Sequence, residues 1–105
     1  MSDSSNEFNV SVDNDSINIS INIERFDFNA YSSFRKTYTD LSSGSRYKID
    51  FSQVRFLDST ALGMLLMFRE YNGTDNKFIQ FINCSKEIVD ILRVANFDQL
   101  FVLNN

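Results

Sequence analysis

The triplet Asp58-Ser59-Thr60 places an acid and two hydroxyls directly before the apolar run Ala61-Leu62-Gly63-Met64-Leu65-Leu66. Residues of these types cap helix N-termini, because their side-chain oxygens accept hydrogen bonds from the backbone N–H groups that a first turn leaves free. The same N–H groups, with the positive end of the helix macrodipole, also accommodate a phosphate. A hydroxyl at this place therefore has two uses, as a plain cap or as a modifiable switch, and position alone admits both. Other chemistry finds little support. The chain has no histidine, which removes His-based triads, the usual Cys/His zinc sites and imidazole proton shuttles. Its three glycines, Gly44, Gly63 and Gly73, form neither G-x-G-x-x-G nor a Walker A loop. Asp13-Asn14-Asp15-Ser16 lacks the glycine and terminal glutamate of a calcium loop and reads as a hairpin turn. Catalysis by carboxylates alone needs paired acids around a pocket, and the sequence identifies none. The expectation is a protein that is not itself an enzyme, with no metal and no cofactor.

Size and charge narrow the choice of partner. With 105 residues and 43% apolar content, the chain is one domain with material for a real core. The net charge is -4, and Lys and Arg are scattered, so the basic stripe of a nucleic-acid or anionic-membrane binder is missing. A protein partner is expected, with no nucleic acid and no membrane insertion. No apolar run reaches membrane-spanning length, and Met1-Ser2-Asp3-Ser4-Ser5-Asn6 has neither the basic start nor the apolar segment of a signal peptide. This predicts a cytoplasmic chain, with residues 1–6 a disordered lead-in and residues 7–105 a single domain. The lone cysteine, Cys84, cannot close an internal disulfide and reads as a small buried hydrophobe.

The elements that must position the triplet follow from periodicity. Phe8, Val10 and Val12 alternate with Asn9 and Ser11, and Ile17, Ile19, Ile21 and Ile23 alternate with Asn18, Ser20, Asn22 and Glu24. Period two with β-branched residues predicts a hairpin whose buried face carries both apolar sets. From Asn29 as N-cap, Tyr31, Phe34, Tyr38 and Leu41 recur at helical spacing until Ser42-Ser43-Gly44-Ser45 stops the pattern. Tyr47, Ile49 and Phe51 predict a strand leading to the triplet, and Phe78 to Ile82 another after the break at Asn72-Gly73-Thr74-Asp75-Asn76. Ser85 caps a further helix with Ile88, Ile91, Leu92 and Ala95, and Phe97, Leu100, Phe101 and Val102 close the chain. Strands separated by helices pair in parallel through right-handed crossovers, which predicts an α/β mixed sheet of four or five strands with helices packed on it. Proline is absent, so punctuation falls to Gly, Asn, Asp and Ser.

At about 100° per residue, the helix after Ser59 sets Thr60, Ala61, Met64, Leu65, Met67, Phe68 and Tyr71 on one broad arc, the expected core side. The opposite arc carries Ser59, Leu62, Gly63, Leu66, Arg69 and Glu70. Two leucines and a glycine beside a modifiable hydroxyl suit a regulated protein-binding surface; a helix buried on nearly all sides is the alternative that periodicity leaves open.

Ile49-Asp50-Phe51, then Val54-Arg55-Phe56-Leu57-Asp58-Ser59-Thr60-Ala61-Leu62-Gly63, resembles the signature of STAS domains, the family of bacterial anti-sigma factor antagonists. The resemblance runs from about Phe8 to Phe101 and implies the STAS fold. It implies phosphorylation at Ser59, the first Ser of the family's Asp-Ser-(Ser/Thr)-(Gly/Ala)-Leu-Gly pattern. Glu24-Arg25-Phe26-Asp27 sits where the family has a Gly-x-Leu-Asp-like segment, which carries a role near the phosphorylation site onto Asp27, with Glu24 in the usual glycine's place. A partner surface of Asp27, Asp58, Leu62, Gly63 and Leu66 is thereby implied. Ala-Leu-Gly-Met-Leu-Leu is similar to the branch tied to biofilm and motility control. The function implied is partner switching in signal transduction and transcription regulation: binding an anti-sigma factor or similar regulatory protein when Ser59 is free, and releasing it when Ser59 is phosphorylated. A serine kinase and a PP2C-type phosphatase would act on Ser59, possible companions of a response regulator. The alternative is a STAS accessory subunit of a membrane transport ATPase with a structural role, although such subunits often carry Thr at the switch position.

Overall fold

The computed structural model describes residues 7–13, 16–73 and 78–104. The lead-in Met1 to Asn6, and Asn14 and Asp15 of the expected turn, lie outside them. Among the described residues, seven strands and three α-helices follow in order: β1 (Phe8–Val12), β2 (Ile17–Ile21), β3 (Arg25–Phe26), α1 (Tyr31–Thr39), β4 (Tyr47–Asp50), β5 (Phe56–Leu57), α2 (Ser59–Asn72), β6 (Ile79–Ile82), α3 (Lys86–Val94) and β7 (Val102–Asn104). The main sheet has the order β1-β2-β4-β6-β7. It is mixed: β1 runs antiparallel to β2, and the remaining pairs are parallel. This is the STAS fold expected from the sequence. The closing strand β7 was not foreseen, since three residues show no period.

One face of the sheet is buried. In register, Ile19 lies beside Ile49 and Ile49 beside Phe81, and all three are buried, whereas Ser20, Asp50 and Gln80 between them are not. Helices cover the inner face with aromatic rings. Phe68 of α2 meets Tyr38 of α1 at 5.0 Å and Tyr47 of β4 at 4.9 Å, edge to face, and Phe34 touches Phe8, Phe26 and Phe68. A second chain of rings, Phe51-Phe81-Phe101-Phe97, closes the β7 side. Such rings bury large apolar areas and add specific edge-to-face contacts.

Two expectations about buried faces are corrected. Phe8 is buried, but Val10 is 41% and Val12 74% exposed, so the hairpin's inner face is covered at one end only. Among the residues of α2 assigned to the core, Thr60, Met67 and Tyr71 are exposed, and the buried set is Ala61, Met64, Leu65, Phe68 and Asn72. A helix lying on one face of a sheet buries a stripe of about 100°, and Asn72 takes a place on it as a buried clamp. Its Oδ1 accepts from Gly44 N at 2.7 Å and Ser45 N at 3.2 Å, and its Nδ2 donates to the Ser45 carbonyl at 3.0 Å. The exit of α1 is held by α2 in this way.

Without proline, turns use the residues expected. Gly44 and Gly73 adopt positive φ (79° and 108°), as do Asn83 and Asn96 (60° and 62°), asparagine being tolerant of this region. Ser85 caps α3 by accepting from Ile88 N. Cys84 is buried, and burial pushes its thiol up to about 12 with a smaller push from the Asp50 charge, leaving it unreactive. No helix among the described residues is long and apolar enough to cross a membrane.

Candidate functional site

A small ribbon separate from the main sheet builds the site. β3 and β5 pair in parallel, Arg25 beside Phe56 and Phe26 beside Leu57, and the Glu24 carbonyl accepts from both Arg55 N and Phe56 N. Alternation buries Phe26 and Leu57 and turns Arg25 and Phe56 outward, where the guanidinium lies 4.1 Å from the ring centre. Carrying the register one residue further sets Asp27 alongside Asp58. Glu24 does not require glycine, since among the described non-glycine residues positive φ is confined to Asn83 and Asn96.

Each acid then starts a helical turn. Asp27 Oδ1 accepts from Asn29 N at 3.0 Å and caps the 3-10 turn Phe28–Ala30, which runs straight into α1. This corrects the cap expected at Asn29. Asp58 is the N-cap of α2, extended in backbone, its Oδ1 accepting from Ala61 N at 3.0 Å and from Thr60 Oγ1 at 2.6 Å. The Thr60 hydroxyl first, and the Ala61 N–H next, hold the Asp58 carboxyl below its ordinary range. A depressed carboxylate stabilises the fold at neutral pH, and that contribution disappears as pH falls below about 4 through the lowered value. Asp58→Ala should therefore cost about 1 kcal/mol at pH 7, with the difference from wild type shrinking toward pH 2 in paired urea melts.

With Asp58 as the cap, Ser59 is the first helical residue. Its side chain is exposed, and it makes no hydrogen bond among the described residues. On the same side of α2 lie half-buried Gly63 and exposed Leu66 and Glu70. Leu62 is half-buried and packs against the core beside Ile91 of α3 and Ala95 at its C-cap, so it belongs partly to the α2–α3 contact. Spacing could not identify three neighbours: Phe28, 66% exposed and stacked on Tyr31, and the Arg25–Phe56 pair. Two-residue strands leave no periodic signal, and only the outward face of the ribbon reveals them.

Gly63 carries its own information. A methyl group built on it meets nothing within 4 Å, so the monomer has no packing reason for glycine. In mid-helix, glycine costs roughly 0.5–1 kcal/mol relative to alanine.

The family model described as "Mlab, STAS domain" matches residues 10–103. The chain is also 43% identical over 81 residues to a STAS-domain containing protein of Pseudomonas aeruginosa (strain UCBPP-PA14), an alignment covering 76% of this chain and 80% of the relative.

Proposed function

Because the chain belongs to the STAS-domain family, we propose that it is a non-enzymatic partner-switching protein of the anti-sigma factor antagonist type, acting in the cytoplasm. Unphosphorylated, it binds an anti-sigma factor or similar regulatory protein through the surface around Ser59; phosphorylated, it lets go. A serine kinase transfers a phosphoryl group from a nucleoside triphosphate to Ser59 Oγ, and a PP2C-type phosphatase hydrolyses it away.

One observation carries this reading above a plain cap. Asp58 already does the capping, which leaves Ser59 Oγ exposed and without a hydrogen bond among the described residues. Modification there disturbs no hydrogen bond among the described residues, while Asp58, Asp27, Gly63 and Leu66 give the surroundings charge and apolar area. The half-buried Leu62 contributes an edge of that surface.

Affinity capture from the native cytoplasm with wild type, Ser59→Ala and Ser59→Asp in parallel tests it. A regulatory protein held by the first two and lost by the third is expected. A membrane transport ATPase held equally by all three would overturn the switch in favour of a structural subunit. Gly63→Ala adds an opposed pair of effects: the fold gains about 0.5–1 kcal/mol, seen as a raised melting temperature, while the added methyl weakens binding of the captured protein. Unchanged binding would remove Gly63 from the contact.

A further inference from the structure

We propose that β1 is a contact between two copies of this chain, paired edge to edge about a twofold axis beside Val10. β1 ends the sheet, and among the described residues its partner is β2. Asn22 N donates to the Glu7 carbonyl at 2.7 Å and Asp13 N to the Ser16 carbonyl at 3.0 Å, so residues 7 and 13 bond toward β2. Alternation along an antiparallel strand then turns the N–H and C=O of Phe8, Val10 and Val12 toward the open edge. Edges are normally guarded by lysine, proline, a bulge or extreme shortness. Phe-Asn-Val-Ser-Val has five residues and no charge.

Pairing Val10 with Val10 of the second copy puts Phe8 opposite Val12 and uses every outward backbone group of the strand. It also covers Val10 and Val12, which the single chain leaves 41% and 74% exposed, beside an open groove lined by Phe8, Val10, Ser33, Lys36, Asp40 and Leu41.

Charge complementarity selects a second copy as the occupant. α1 links the parallel strands β2 and β4 and so runs back along β1, and Phe8 packs on Phe34 with ring centres 5.3 Å apart. Val10 lies about 7 Å beyond Phe8, and Tyr38 about 6 Å beyond Phe34. An axis beside Val10 is therefore level with Tyr38, and sets exposed Lys36 opposite exposed Asp40 of the second copy, twice by symmetry. At the ribbon's ends Glu7 meets Asp13 of the second copy, a like-charge pair that keeps the association weak.

Sedimentation equilibrium of the full chain from micromolar to millimolar concentration, with a thermal melt of each variant, tests the pairing. Wild type should show a monomer–dimer equilibrium, and Val10→Lys should remain monomeric with its fold intact. Lys36→Asp should weaken the dimer about tenfold by replacing two attractions with two repulsions, and Lys36→Asp with Asp40→Lys should restore it. Glu7→Lys should tighten it about tenfold, a gain that unfolding cannot imitate. A wild type that stays monomeric overturns the proposal, as does a dimer indifferent to Glu7→Lys and to the charge exchange.

Discussion

Ser59→Asp, or phosphorylation of Ser59, is expected to weaken binding of the captured partner by about two orders of magnitude, with Ser59→Ala binding like wild type. Phosphate brings about -1.5 to -2 charges at neutral pH to a surface where Asp58 and Asp27 each follow one of two adjacent parallel strands. The start of α2 attracts the phosphate by only about 0.3–1 kcal/mol when exposed, and the N–H of Ala61 is already taken by Asp58. Burying an unpaired double charge against a partner costs several kcal/mol, so repulsion and desolvation dominate. Leu66→Ala provides the companion result: the side chain is exposed, and its loss should weaken binding with a melt within about 0.5 kcal/mol of wild type. Calorimetric titration measures both. Equal affinities for Ser59→Ala and the phosphorylated protein would eliminate the switch.

Phe68→Ala should come close to unfolding the domain. The ring is fully buried and joins three elements, meeting Phe34 and Tyr38 of α1 and Tyr47 of β4 at 5.9, 5.0 and 4.9 Å. Removing such a ring costs about 3–5 kcal/mol, set against a total stability of about 5–15 kcal/mol for a domain. The neighbouring rings come from α1 and β4, so collapse into the void requires both layers to move. Met67→Ala, one residue earlier and 41% exposed, should stay within about 0.5 kcal/mol. Urea titrations of the pair decide the placement of the α2 core arc: similar losses for both would mean that the helix is buried far more widely than its packing against α1 and β4 indicates.

Much of this was legible in the chain because the signals are local. Period two in Ile17 to Ile21, the helix start at Asp58 to Thr60, the cap at Ser85 and the strand from Tyr47 each arise from backbone preferences within a few residues, and they located Ser59 at the start of α2. Tertiary structure decided which of the three capping residues caps. It also decided how wide the covered arc is: Thr60, Met67 and Tyr71 are exposed because a helix on one face of a sheet buries only the stripe that the sheet and its neighbouring helices reach. Val10 and Val12 alternate like buried residues, yet only Phe8 has rings of α1 and β3 to pack on. The side-by-side placement of the segments that end in Asp27 and Asp58 came only with the family resemblance and had no signal in periodicity. It depends on β3 and β5, two residues each and separated by the whole of α1 and β4, and pairs that short leave no period to read, so their register exists only once the core has brought Phe26 and Leu57 together.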